Sequence, residues 1–296
     1  MICSFWICSW FRCYIGLCKS TLQSKQTPMC PTQREVSHLS IHNLILIGHF
    51  RNKNLFLVKK ILIGHYSKKM LNNKKILVTG SGGQLGMTLQ KRYSEEHGFD
   101  WIFLPKEKLD IIETKEIHAT FKKYNPKFCV NCAAFTDVLK SEKHPSIAYK
   151  INVEAVKNIT RICNKNDSIL IHISTDYVFD GRKKRPYVEN DKANPLNVYG
   201  MTKYLGEKHV LENANHGYIV RTSWLYSKNF GYNFYRNILN EASVGNEIKV
   251  VNDQYGTPTN TEKVADFIMK ILVSLPKKGI YHCAGDQVMS WYELPR

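Results

Sequence analysis

Two short stretches hold side chains that can do chemistry together. Tyr199 and Lys203 stand four residues apart in Tyr199-Gly-Met-Thr-Lys203, and Ser174-Thr175-Asp176 closes an apolar run. Four residues make about one helical turn, so in a helix Tyr199 and Lys203 share a face. An unperturbed tyrosine, pKa about 10, releases its proton reluctantly at neutral pH, and a neighbouring cation stabilises its anion. The pair suits proton donation to an oxygen that gains charge as a ketone accepts hydride from a nicotinamide. Tyr199 is then the general acid, Lys203 the cation that lowers its pKa and holds the ribose, and Thr175 the hydrogen-bond partner of the carbonyl. Spacing alone is weak support in a chain with 16 tyrosines. Tyr204 and Lys208 form a second such pair, but five residues turn it about 140° around the same helix, away from the first.

A second candidate site precedes these residues. Thr79-Gly80-Ser81-Gly82-Gly83-Gln84-Leu85-Gly86 follows the apolar run Ile76-Leu77-Val78. Glycines at 80, 83 and 86 permit a tight turn and a close backbone approach to a pyrophosphate, and the helix N-terminus that follows offers unpaired N–H groups to its oxygens. The pattern is weak alone and informative between a strand and a helix. No acid stands at the end of the next apolar run, where it would hold the 2′-hydroxyl of NAD, and Pro105-Lys106-Glu107-Lys108 offers two cations. NADPH is therefore favoured, with NADH as the alternative.

Positioning these groups requires a regular scaffold, and the chain alternates accordingly. Strands are expected at 76–78, 101–104, 128–131, 169–173, 218–221, 248–251 and 280–282. Helices are expected at 84–93, 115–124, 147–163, 199–211, 232–242 and 264–273. Short apolar strands alternating with longer helices predict an α/β fold with a doubly wound parallel sheet of Rossmann type. Ligands of such sheets bind at the carboxyl ends of the strands, which brings Thr175 and Asp176 beside the cofactor.

The formal net charge of +17 is unevenly spread. Residues 1–70 carry ten Lys/Arg against the single acid Glu35, leaving 32 against 24 for the rest. The body is only moderately basic, which an anionic small molecule explains as well as nucleic acid does, and no nucleic-acid partner is expected. Cys3, Cys8, Cys13, Cys18 and Cys30 crowd the first thirty residues at a period that fits no usual zinc site. Arg12 interrupts the apolar stretch Ile2–Cys18, so no membrane span is read there, and the cytoplasm is the expected compartment. Ile45-Leu-Ile-Gly-His49 is nearly repeated at Ile61-Leu-Ile-Gly-His65 without evident chemistry, and Met70 precedes the polar lead into the first strand. Residues 1–70 are thus expected to be an unstructured extension or to follow from a misassigned start. Cys129-Val-Asn-Cys132 has C-x-x-C spacing but falls in a strand, where positions three apart face opposite ways, so a reduced core is expected.

The G-x-x-G-x-x-G spacing resembles the extended short-chain dehydrogenases. Leu109-Asp110-Ile111 looks like that family's segment near the adenine, and Cys132-Ala133-Ala134-Phe135-Thr136 like its segment beside the cofactor after the third strand. Asp110 has a second reading, as a cap of the following helix. Four further segments are similar to the dTDP-4-dehydrorhamnose reductase family: 174–181 (STDYVFDG), 195–203 (PLNVYGMTK), 221–226 (RTSWLY) and 252–259 (NDQYGTPT). The resemblance runs from Lys75 to about Tyr292. It implies an active-site set of Thr175, Asp176, Tyr199 and Lys203, with Trp224 near the sugar. It also implies NADPH-dependent reduction of the C4 ketone of dTDP-4-dehydro-L-rhamnose to dTDP-L-rhamnose. Trp224 has a blander reading, packing under the substrate loop, and the 254–259 stretch one as a rigid turn.

By the same resemblance residues 71–296 form the NAD(P)-binding domain, with a small substrate lobe built from about 182–197 and 222–296. That lobe reads as cut short after a helix start near Ser290. The basic run Arg182–Arg185 is a candidate attractor of the diphosphate. The family also allows a homodimer, and it carries Mg²⁺ in some members, for which no ligand set is legible here. The alternatives are a non-catalytic regulatory relative, resembling the beta subunit of methionine adenosyltransferase, or another nucleotide-sugar epimerase or dehydratase. For a dehydratase, Thr175-Asp176 lacks the following glutamate.

Overall fold

Strands form where apolar runs are too short for a helix, and their alternate side chains enter two different cores. A computed structural model describes residues 74–95 and 98–294. The readings made on residues 1–70 lie outside the described residues. Six strands, β1 (Lys74–Thr79), β2 (Phe99–Leu104), β3 (Phe128–Asn131), β4 (Ile169–Thr175), β5 (Gly217–Thr222) and β9 (Gly279–His282), make one parallel sheet in the order β2-β1-β3-β4-β5-β9. Ile76 and Val78 pack on one face with Leu85, Leu89, Val264 and Ile268, while Leu77 packs on the other with Ile117, Phe121, Ile159 and Val210. Burial on both faces is why these strands read as continuous apolar runs instead of alternating ones.

The first face is covered by α1 (Gln84–Tyr93) and α8 (Thr261–Ser274). The second is covered by α2 (Thr114–Tyr124), α5 (Ala155–Lys165) and α6 (Val198–Asn213). Between β3 and α5 lie two short helices, α3 (Val138–Lys143) and α4 (Pro145–Tyr149), and a π-helical turn at Lys150–Glu154 that joins α4 to α5. The chain leaves β1 toward β2 and crosses back over β1 to reach β3, so the sheet reverses direction between β1 and β3. Their carboxyl ends open a crevice there, where ligands of such sheets bind.

Two pairs of short strands stand apart from the main sheet. β6 (Leu225–Tyr226) pairs with β8 (Thr259–Asn260), and β7 (Tyr255–Gly256) with β10 (Met289–Ser290). Helix α7 (Phe234–Ser243) lies in the same late part of the chain, whereas α8 and β9 return to the main sheet. Ser290 and Glu293 bond reciprocally, Ser290 N to Glu293 Oε2 at 2.7 Å and Glu293 N to Ser290 Oγ at 3.2 Å. These are the bonds of a capping box.

The strand expected at 248–251 is not formed: the stretch is loop, largely exposed, with no described strand beside it to take its hydrogen bonds. The two-residue strands β6, β7, β8 and β10 escape any periodicity argument, being shorter than one period of evidence. Helix α3 is polar and short, and its start is marked by Asp137, whose side chain accepts from Lys140 N. Cys129 joins the second core and Cys132 borders the first, and Cys129, Cys132, Cys163 and Cys283 are all free. No helix among the described residues is long and apolar enough to cross a membrane.

Candidate active site

A cavity of about 710 Å³ opens at the reversal of the sheet. Gly80, Gly83, Gln84, Leu85 and Gly86 line it from the turn after β1, Asp110 and Ile111 from the loop after β2, and Ala133, Ala134 and Phe135 from the loop after β3. Thr175 and Asp176 line it from the end of β4, Tyr199 and Lys203 from α6, and Trp224 from the segment after β5. The structure therefore brings all these candidates to one place. Lys106 also lines the cavity, while Lys108 and the basic run Arg182–Arg185 do not. Lys183 of that run is bonded instead to Asp191, so the run's expected role in attracting a diphosphate finds no support in the geometry.

The glycine turn is shaped for close approach. Gly80 adopts φ +62°, and a Cβ there would stand 2.6 Å from the backbone of Ala133. A Cβ on Gly86 would stand 2.4 Å from Ser81 Cα, so α1 sits directly on the turn. Gly83 precedes α1 without any side-chain cap, which leaves first-turn N–H groups available to an anion. Gln84 spends its side chain on the protein: its Nε2 donates to Leu225 O at 3.0 Å and its Oε1 accepts from Asn233 Nδ2 at 3.2 Å. Asp110 accepts from Ile112 N at 3.0 Å, forming a local turn, and Glu113 instead occupies the cap position of α2. The residues thus fit a dinucleotide: Gly80 and Gly86 let the turn pack directly on Ala133 and Ser81, and the uncapped first turn of α1 faces the cavity.

Tyr199 is brought to Thr175 by a close contact at the start of α6. Asn197 caps the helix by accepting from Gly200 N at 2.7 Å. Gly200 lies so near the turn Asp176–Val178 that a Cβ would stand 2.1 Å from Tyr177 O. Thr175 Oγ1 donates to Asp176 Oδ1 at 3.2 Å, and Ser223 Oγ donates to Asp176 Oδ2 at 2.7 Å. Burial raises the Asp176 carboxyl above its ordinary pKa, and the hydrogen bonds from Ser223 and Thr175 oppose this.

One electrostatic expectation is corrected. Tyr199 is 8 % exposed, and burial raises its pKa, with the hydrogen bond to Thr175 pulling down and the charge of Asp176 pushing up. Lys203 is not among the groups that lower it. Its Nζ donates to Ile173 O at 2.7 Å and meets His172 Nε2 at 3.2 Å, and burial brings its own pKa down to about 8. Desolvation thus turns the fixed positive charge that the spacing argument assumed into one that titrates just above neutrality. The second pair, Tyr204 and Lys208, does not line the cavity, and Lys208 faces Glu212 at 3.8 Å.

Several participants were not anticipated. Asn152, in the π turn, accepts from Phe135 N at 2.9 Å and donates to Phe135 O at 3.0 Å and to Thr202 Oγ1 at 3.1 Å, tying the loop after β3 to α6. Trp291 stacks on Trp224 with centroids 3.6 Å apart and planes 6° from parallel. Trp224 itself adopts φ +44°, and Gly256 backs its indole, where a Cβ would stand 2.3 Å from Trp224 Cε2. Trp224 is thus both packed and exposed to the cavity. Ser174 Oγ and Thr222 Oγ1, which also line the cavity, are buried without a hydrogen-bond partner. A signal for His172 was available, as a lone imidazole inside the apolar run Ile169–Ile173; Trp291 and Asn152 had none. Among the described residues no cluster of three or more His, Cys, Asp or Glu could hold a metal ion.

Comparison with known proteins agrees with this geometry. The family model described as the RmlD substrate binding domain matches residues 74–296. The spore coat polysaccharide biosynthesis protein SpsK of Bacillus subtilis (strain 168) is 38% identical over 220 residues, covering 74% of this chain and 76% of that protein. A dTDP-4-keto-6-deoxy-D-glucose reductase of Streptomyces niveus is 35% identical over 224 residues, with 74% and 76% covered. Among solved structures, dTDP-4-dehydrorhamnose reductase from Bacillus anthracis str. Ames, in complex with NADP, superposes with a TM-score of 0.72 at 35% identity, covering 75% of this chain and 78% of that one. The chain belongs to the RmlD substrate binding domain family.

Proposed function

We propose that this protein is an NADPH-dependent reductase that converts the C4 ketone of dTDP-4-dehydro-L-rhamnose to the alcohol of dTDP-L-rhamnose. The observation that carries the reading is the meeting of Thr175, Tyr199 and Lys203 with the glycine turn in one cavity. The cofactor, when bound, supplies the hydride. Gly80, Gly83 and Gly86 let the turn and the uncapped first-turn N–H groups of α1 approach its pyrophosphate, Asp110 and Ile111 flank its adenosine end, and Ala133, Ala134 and Phe135 its far side. Lys106 favours a 2′-phosphate over the bare hydroxyl, with NADH as the weaker alternative. Lys203 holds the ribose.

Thr175 orients the substrate carbonyl by turning its hydroxyl proton from Asp176 to that oxygen, and the Tyr199 hydroxyl donates its proton to the oxygen as charge builds there. A buried phenol keeps its proton until an alkoxide, a much stronger base, forms beside it. Asp176, fixed by Ser223, holds Thr175 in place. Trp224, stacked against Trp291, offers the apolar wall for the sugar. Residues 71–296 constitute the working unit, with a substrate lobe from about 182–197 and 222–296, and residues 1–70 are dispensable to it. The compartment is the cytoplasm. A homodimer belongs to the reading.

A second reading, favoured by the Streptomyces niveus relative, is reduction of a dTDP-4-keto-6-deoxy sugar of different ring stereochemistry. Offering both ketosugars with NADPH and identifying the products by chromatography separates the two. Preferential formation of dTDP-L-rhamnose supports the first reading, and preferential turnover of the gluco substrate replaces it with the second.

A further inference from the structure

Behind the cavity a chain of buried polar groups runs from the glycine turn to Lys203, and the mechanism does not use it. Thr79, the residue before Gly80, donates from Oγ1 to Asn131 Oδ1 at 2.6 Å. Asn131 Nδ2 stands 3.1 Å from His172 Nδ1, and His172 Nε2 stands 3.2 Å from Lys203 Nζ. Thr79, Asn131, His172 and Lys203 are each no more than 2 % exposed.

Donor and acceptor bookkeeping fixes where the protons are. The N–H of Ala133 faces Asn131 Oδ1 at 3.3 Å. A backbone N–H only donates, so that atom is the amide oxygen and the amide nitrogen points at the imidazole. Nδ2 only donates as well, so His172 Nδ1 must present a lone pair. Complete burial holds the His172 pKa well below its ordinary value, so the ring is neutral and its single proton sits on Nε2. That N–H points at Lys203. An ammonium has no lone pair to receive it, whereas a free amine receives it and still donates to Ile173 O.

We propose that Thr79 and Asn131 lock His172 as its Nε2–H tautomer, making His172 the positioning residue that holds Lys203 as a hydrogen-bond acceptor and sets how readily its amine takes a proton. The other groups around the amine leave this role to His172. Cys132, from the loop after β3, and Glu207, one turn along α6, both favour the charged form. The Glu207 carboxylate, however, is engaged by Arg221 of β5, with 2.9 Å and 2.6 Å bonds from Nε and Nη2. On the remaining side of Lys203 stands Tyr199, a turn earlier on α6, whose buried phenol is neutral. The lysine is then poised near neutrality, and a proton taken from water settles on its amine as negative charge develops on Tyr199. The catalytic meaning of this lock rests on the reductase reading, but the tautomer itself does not.

The test uses the full chain labelled with ¹⁵N-histidine, without cofactor or substrate, and reads the tautomer from long-range ¹H–¹⁵N correlations. The His172 signals are identified by their loss in His172→Gln. A proton on Nε2 is expected, and one on Nδ1 overturns the proposal whatever the enzyme's activity proves to be. Asn131→Asp supplies the second arm. An aspartate still accepts from Thr79 and Ala133 but can only accept from His172, which moves the ring proton to Nδ1 and turns Nε2 into an acceptor for an ammonium. The pH at which the Lys203 Cε signal titrates should then rise by about one unit or more. An unchanged titration in a folded variant overturns the coupling. Where that variant does not fold, the wild-type tautomer decides alone. In the active enzyme the same substitution should move the pH dependence of kcat/KM, which a merely structural role for His172 would leave in place.

Discussion

Asp176 is held in a place that suits its neighbours better than itself. Its carboxyl pKa is raised by burial, so the stability it contributes is fully present below the unfolded carboxyl value, about 4, and is lost as pH rises through the folded value. Asp176→Asn does not titrate and escapes that loss. It should unfold at a higher temperature than wild type at neutral pH, with the gap closing as pH falls toward 4. An equal or lower Tm at neutral pH would refute the strain assigned to this residue. The same substitution should slow turnover, because Asp176 Oδ1 fixes Thr175 and its Oδ2 is fixed by Ser223. At this scale the residues with chemistry were legible in the sequence, since Tyr199, Lys203, Thr175 and the glycines belong to short local patterns. Their electrostatics were not. Whether Lys203 is charged depends on His172 and Asn131, 31 and 72 residues earlier, which only the sheet register brings beside it.

At the scale of elements, the turn after β1 and the packing of α6 on β5 carry the site. Gly80 combines a positive φ with a 2.6 Å approach to Ala133. Gly80→Ala should cost about 1–3 kcal/mol in denaturant titrations and weaken NADPH binding, and a variant with wild-type stability would show that the turn relaxes freely. Arg221 on β5 and Glu207 on α6 form a buried pair, 4 % and 0 % exposed at their side chains. Arg221→Met strands the carboxylate and should cost about 3–5 kcal/mol, while Arg221→Met with Glu207→Leu should recover most of that loss. No recovery would mean that the pair contributes more than charge compensation. The strands and long helices could be read from apolar runs and helical period, because β1, β3 and β5 are buried on both faces. The loop at 248–251 misled because apolar residues there lack a strand partner, and the two-residue strands and the π turn exist only through tertiary contacts.

For the whole molecule, the family match begins at residue 74, and every group in the cavity lies beyond it. A chain beginning at Met70 should therefore bind NADPH with the affinity of the full chain and unfold at the same temperature; a loss of either would give residues 1–69 a part in the site. The proposed reaction has Tyr199 deliver the proton in an NADPH-dependent ketone reduction within this cavity. Its most direct measurement follows NADPH consumption with dTDP-4-dehydro-L-rhamnose in the wild-type chain and in Tyr199→Phe, with NADPH affinity measured in both. The expected result is wild-type turnover to dTDP-L-rhamnose and a kcat lowered by about 10²–10⁴-fold in the variant at unchanged NADPH affinity. Equal turnover in the two proteins, or tight NADPH binding by a wild-type chain that turns over neither ketosugar, would contradict the account.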